Sequence, residues 1–368
     1  SGIKFSKNVA NTQVLKELNY GVKQQNVTLT RASNGLLYPE SSKISAGAKR
    51  GLKVLKKADT GVSWYPKTEQ VVAFDTGKTH QVKATADALL NAINAAQTGD
   101  VLELADGQYD VSKLVKITKV LTLKAKHTGK AKLTYQRSTL FEIHDGGSLK
   151  LDVLVISGEN APDAINNSVV RTKKWGMVDN YRFEIHNSQL TNLDINHSFH
   201  FFVTGKGAMA DEITLVNNTF KNVTGDILRL DTEIEDLGIY NAEYVTLKSN
   251  TFNEVAGGVV KLYRGGSDES TFGPHLLMTN NTLTKVGLGK RNKAQASVYA
   301  HGVQVTNIAS NVFEKSAPIK IEHTVGEPIT AITDNTFDAT QAPNVKELRV
   351  AGPHTATIKN NNVLNKVN

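Results

Sequence analysis

Basic side chains and the indole of Trp175 supply most of the chemistry this sequence can offer. Arg171-Thr172-Lys173-Lys174-Trp175 sets three cations beside an aromatic ring, a mixture able to hold an anionic sugar by charge and stacking. The alternative is an exposed loop with Trp175 folded onto the body. Lys290, Arg291 and Lys293 form a second basic loop that admits the same two readings. Asp231, Glu233, Glu235 and Asp236 carry the carboxylate oxygens that calcium prefers, or else make a solvated acidic loop beside Arg229. His197 and His200 lack a third ligand and read as loop or core residues rather than a zinc pair. The chain has no Cys, which removes thiolate nucleophiles and disulfides from consideration.

The elements that must position these groups follow from a repeat. Asn218-Thr219-Phe220, Asn250-Thr251-Phe252, Asn281-Thr282-Leu283, Asn311-Val312-Phe313, Asn335-Thr336-Phe337 and Asn361-Asn362-Val363 recur at intervals of 32, 31, 30, 24 and 26 residues. Before each Asn lies a run such as Tyr244-Val245-Thr246-Leu247-Lys248, apolar at every second residue, the mark of a half-buried strand. A second run such as Gly258-Val259-Val260-Lys261-Leu262-Tyr263 follows. Short strands at this period, with an Asn fixed at one corner, describe the coils of a parallel β-helix. In that reading the Asn turns the corner through the left-handed region and its amide bonds the next coil, so that stacked corners form a ladder. The apolar residue two positions later stacks into the core. The competing reading of these asparagines is N-glycosylation, since Asn217, Asn166, Asn196, Asn222 and Asn280 also stand in Asn-x-Ser/Thr patterns.

Upstream, Phe183 to Leu190 and Leu149 to Gly158 continue the pattern, which places the start of the solenoid near residue 100. Thr85 to Gln97 reads as a helix capping the open end, with Leu89, Leu90, Ile93 and Ala96 on one face and Gly99 as the terminating residue. Arg229, Lys261 and Arg264 come from adjacent coils. Equivalent strand positions in stacked coils lie about 4.8 Å apart, so these three predict a cationic row facing one groove and suited to a polymer of carboxylates. The competing reading pairs Arg229 with Asp226 or Asp231 and leaves Lys261 on an exposed sheet face.

The formal charge of +8 is concentrated in Ser1 to Asp75, which carries 12 basic and 5 acidic residues, whereas the remaining 293 residues carry 31 and 30. A solenoid this close to neutrality offers no global basic stripe to nucleic acid. No apolar run approaches the ~20 residues of a bilayer span. The chain therefore reads as residues 1–75, a tail and linker, followed by residues 76–368, an all-β parallel β-helix.

The capping helix, the Gly99-Asp100 turn and Ala105-Asp106-Gly107-Gln108-Tyr109 resemble the opening of a β-helix in polysaccharide lyase family six, the chondroitinase-B-like and alginate lyases. Ala32-Ser33-Asn34-Gly35-Leu36-Leu37-Tyr38-Pro39, Ala46-Gly47-Ala48 and Ala58-Asp59-Thr60-Gly61 look like the closing stretch of a catalytic domain of that family. The resemblance implies a right-handed β-helix forming the C-terminal part of a two-domain alginate lyase that cleaves by β-elimination. Family members use a Lys as base, an Arg as acid, and a calcium ion held by Asn and Glu. Here Gly225-Asp226 stands at the Gly-Glu position, Glu233 where the Lys belongs, and Tyr263-Arg264-Gly265-Gly266 only loosely matches the Arg-His-Gly stretch. The departures imply a segment without catalytic residues or a cofactor of its own, calcium belonging to the catalytic domain of the parent enzyme. Such a segment would brace the catalytic β-helix of the same protein, extend its substrate groove through Arg229, Lys261, Arg264, Lys173, Lys174 and Trp175, or mediate a homodimer. A stand-alone carbohydrate-binding module and a complete lyase with a divergent site are the alternatives. The expected partner is an acidic polysaccharide, alginate, with neither nucleic acid nor membrane, and the expected location is secreted or periplasmic.

Overall fold

A computed structural model describes residues 29–31, 36–39, 52–53, 72–232, 238–266, 273–350 and 352–367. The chain divides into two units, Ser1–Val71 and Val72–Asn368. In the first, Leu29–Arg31, Leu36–Pro39 and Leu52–Lys53 pair as a three-stranded antiparallel sheet. Most of the segments that suggested the end of another domain, including Ala46-Gly47-Ala48 and Ala58 to Gly61, lie outside the described residues.

The second unit is a right-handed parallel β-helix. In the coil beginning at Ala210, the strands Ala210–Val216, Thr219–Val223 and Leu228–Leu230 belong to three different sheets. Sheet I has 11 strands from Thr79–Val82 to Thr355–Lys359, sheet II has ten ending at Asn362–Leu364, and sheet III has nine from Val115–Ile117 to Asn344–Glu347. Alternation puts one residue in two inside: Ile213, Leu215, Phe220, Val223, Leu228 and Leu230 are all buried. The stacked positions of the repeat meet in the core, where Phe220 lies on Phe252 at 5.2 Å between ring centroids and Phe313 on Phe337 at 5.0 Å.

The asparagine ladder is present and buried, and the Asn-x-Thr acceptors Asn217 and Asn280 are the residues just before its rungs. Each Oδ1 accepts from the backbone N–H and the Nδ2 of the preceding Asn, at 2.9–3.0 Å, through Asn218, Asn250, Asn281, Asn311, Asn335 and Asn361. Each Nδ2 also reaches a carbonyl in the coil before, as Asn281 does to Leu247 O at 2.9 Å. At the upstream end Ser188 takes the place of an Asn, its N–H donating to Asn218 Oδ1 at 3.0 Å. The left-handed conformation falls one residue earlier than expected. Asn217, Ser249, Asn280, Ser310, Asp334 and Asn360 have φ between 56° and 59°, and the ladder Asn that follows is thereby aimed inward.

The cap is helix α1, Ala86–Ala95, with Thr85 Oγ1 accepting from Ala88 N–H at 3.2 Å and with Leu89 and Ile93 buried on the first coils. The helix ends at Ala96, so Gly99 is not its terminating residue. Gly99, at φ 91°, instead shapes the next turn, where Asp100 accepts from the N–H groups of Gln97 and Lys78, each at 2.8 Å, and from His80 at 2.7 Å. The solenoid starts earlier than residue 100, because Thr79–Val82 pairs in parallel with Val101–Leu104 as the first strand of sheet I. Among the described residues no helix is long and apolar enough to cross a membrane.

Candidate functional site

Sheet III positions a polar row by simple alternation. Leu228-Arg229-Leu230, Val260-Lys261-Leu262, Val298-Tyr299-Ala300 and Ile319-Lys320-Ile321 each bury the two flanking side chains and turn the middle one outward. Parallel pairing aligns Arg229 with Lys261, Lys261 with Tyr299, Tyr299 with Lys320 and Lys320 with Asn344. A groove of about 860 Å³ runs along this row. Its wall is made by the connections from sheet II to sheet III, including Thr224-Gly225-Asp226, Ala256-Gly257 and the longer loop Gly289–Ala294. Among the described residues, seven lysines and arginines line the groove against three acids, a local surplus of cations in a solenoid that is nearly neutral overall.

The first part of the row is internally neutralised. Lys261 Nζ lies 2.8 Å from Asp226 Oδ1, which also accepts from Gly258 N–H at 2.9 Å. Burial by itself would raise the Asp226 carboxyl, but the His200 ring 3.4 Å from Oδ2 and the Lys261 ammonium outweigh it and hold the group down at about 2. His200 is itself buried beside Asp226, with the Asp226 backbone nitrogen 2.8 Å from Nδ1, whereas His197, its partner in the sequence pair, is exposed. Arg229 pairs with Asp231 at 3.3 Å. Glu233, Glu235 and Asp236, the rest of the calcium candidate, lie outside the described residues.

Further along, Tyr299 donates its hydroxyl to Glu322 Oε2 at 2.7 Å, and His301 Nδ1 lies 2.7 Å from the same oxygen. A ring nitrogen this close to a carboxylate carries the proton. Tyr263 stacks on the His301 ring at 4.4 Å. Burial, and then the Glu322 carboxylate, push the Tyr299 hydroxyl well above its ordinary range, so it stays a phenol and a donor.

Of the residues singled out from sequence, Arg229 and Lys261 do share the groove, but Arg264 does not. It lies three positions after Lys261, on the opposite face of the strand, and is fully buried, with Nη1 donating to Gly273 O at 2.6 Å and its guanidinium 5.6 Å from the Tyr240 ring. The loop after Ser168–Thr172 is not among the groove's lining residues. There Lys173 bonds Asp145 Oδ2 at 3.2 Å and Gly176 O at 3.1 Å, Lys174 is exposed, and Trp175 is 58% exposed rather than folded onto the body. Tyr299, Lys320 and Lys346 were missed. The signal for the first two was legible, since each sits between two apolar residues as Arg229 and Lys261 do.

No family model matches the chain, and no curated protein matches it. Among solved structures it is similar to the PL6 family alginate lyase AlyGC, at 46% identity and a TM-score of 0.81, over 94% of this chain and 48% of that one. An arginine-to-alanine mutant of the same enzyme gives the same values. An alginate lyase from Paenibacillus sp. str. FPU-7 aligns at 13% identity over 77% of this chain and 99% of that one, with a TM-score of 0.39, too low to bear on the site. This chain thus spans about half the length of the alginate lyase that it matches at high identity over nearly all of its own residues.

Proposed function

We propose that the chain is the C-terminal β-helix of a two-part PL6 alginate lyase, secreted or periplasmic, and that it holds the acidic polymer in its groove while the other part cleaves it. The observation carrying this reading is the surplus of cations along a groove of a chain 46% identical to an alginate lyase. β-Elimination on a uronate needs a cation at the carboxylate, a base for the C5 proton and an acid for the departing 4-oxygen. The groove has the cations. Three polar groups of the row are tied to neighbours: Lys261 to Asp226, Tyr299 to Glu322, and His301 to Glu322 through Nδ1. The surplus of cations favours binding, with the solenoid bracing the catalytic part and lengthening its path for the polymer.

Incubating the 368-residue chain with alginate and following the ultraviolet absorbance of unsaturated uronate distinguishes the readings. The expected result is binding of alginate oligomers with no rise in absorbance. A steady rise that is abolished by a substitution in this groove would show a complete lyase with a divergent site instead.

A further inference from the structure

The groove's seven cations are not equivalent. Arg229 and Lys261 are partnered by Asp231 and Asp226, so the row that first draws attention has little charge left for a ligand. Lys290, Arg291, Lys293, Lys320 and Lys346 line the same groove and have no carboxylate within ion-pair distance among the described residues. The nearby acid is Glu322, which is already engaged by Tyr299 and His301. The unbalanced charge of the groove thus sits at one end, on and beside a single loop.

That loop is built to stay in place. Asn292 is 4% exposed, and its Nδ2 donates to Gly287 O at 2.8 Å and Ala296 O at 2.9 Å, tying both ends of the loop together. Gly289 N–H donates to Ala256 O of the preceding coil at 2.9 Å, and Lys320 Nζ from the following coil donates to Ala294 O at 2.8 Å. Gly289 seats so closely that a Cβ would stand 2.7 Å from Ala256 O. Three exposed cations are therefore carried by a short segment anchored to the coils on either side. Holding charges in place before a ligand arrives lowers the ordering cost of binding.

We infer that the loop Leu288–Gln295, with Lys320 and Lys346 beside it, is a preformed subsite for consecutive carboxylates of a polyuronate. This rests on the reading of the groove as a binder of acidic polysaccharide. The partnered Arg229 is a lesser contributor.

The test is a calorimetric titration of alginate hexasaccharide into the full chain, into the triple variant Lys290→Ser/Arg291→Ser/Lys293→Ser, and into Arg229→Gln. All three loop side chains are exposed, so the triple variant should fold, which a melting curve checks. Losing three charge contacts should weaken binding roughly ten- to a hundredfold and flatten its dependence on salt, with Arg229→Gln changing it less than about threefold. Equal affinity of the triple variant and the parent chain would overturn the subsite, as would a larger loss from Arg229→Gln. Absence of binding by the parent chain would overturn the underlying reading of the groove and the subsite with it.

Discussion

Asn281→Ala is the sharpest test of how the solenoid is held together. The side chain is 1% exposed, and its amide takes part in four hydrogen bonds. Truncation leaves the Asn250 backbone N–H and one Asn250 Nδ2 proton without their Oδ1 acceptor, and it removes one donor from Leu247 O. The Asn311 Oδ1 keeps a donor, because the Asn281 backbone N–H still reaches it at 2.9 Å. An unsatisfied buried group costs about 1–3 kcal/mol, so two stranded donors predict a loss of about 2–6 kcal/mol. Asn361→Ala is the internal control: it removes the same chemistry at the last rung, where the bonds are only partly buried and water can replace them, and should cost about 1 kcal/mol. Guanidinium unfolding followed by circular dichroism gives both values. Similar midpoints for the two variants would refute the claim that burial of the ladder, and not merely its presence, supplies the stability.

Three further outcomes follow from the same structure. Lys261→Met should destabilise the chain by about 3 kcal/mol, because it leaves Asp226 charged and buried, and adding Asp226→Asn should recover part of the loss; thermal melts of the three proteins check this. Asp226 has its folded-state pKa depressed to about 2 from 3.8, so its contribution of about 2 kcal/mol is present above pH 3.8 and lost as the pH falls towards 2. Chemical unfolding across that window should therefore show a shallower pH dependence for Asp226→Asn than for the parent chain, and parallel curves would contradict the assignment. Phe220→Ala opens a hole between Phe201 and Phe252, whose rings lie 5.0 and 5.2 Å away, and should cost about 3–5 kcal/mol by the same unfolding assay.

The solenoid was legible because its corner demands one residue type at one position. An amide that both donates and accepts along the stack leaves a regular Asn in the sequence even while coil length drifts from 32 to 24 residues. The left-handed corner was displaced by one residue because Asn tolerates that conformation, which drew the assignment to the ladder residue, whereas Ser249, Ser310 and Asp334 occupy the corner itself. Arg264 was misplaced against a rule the sequence does contain: three positions from an outward Lys261, it must point inward. The place of the basic loop at Lys290 in this groove was hidden for a different reason. Its meaning depends on Lys320 and Lys346 in later coils, and register across coils of unequal length is set by loop geometry that local pattern does not encode. The ion pair of Arg229 with Asp231 was foreseen only as one of two readings, and that of Lys261 with Asp226 in neither, since pairing within a strand and across a coil look alike in sequence.

The central claim is that this β-helix holds an acidic polysaccharide by local cations against a nearly neutral field. Titrating the parent chain with alginate hexasaccharide at low and at high salt measures that most directly. The account predicts saturable binding that weakens as salt screens the groove, and no comparable binding of an uncharged β-glucan hexasaccharide. No binding at low salt, or equal affinity for the neutral oligomer, would contradict it.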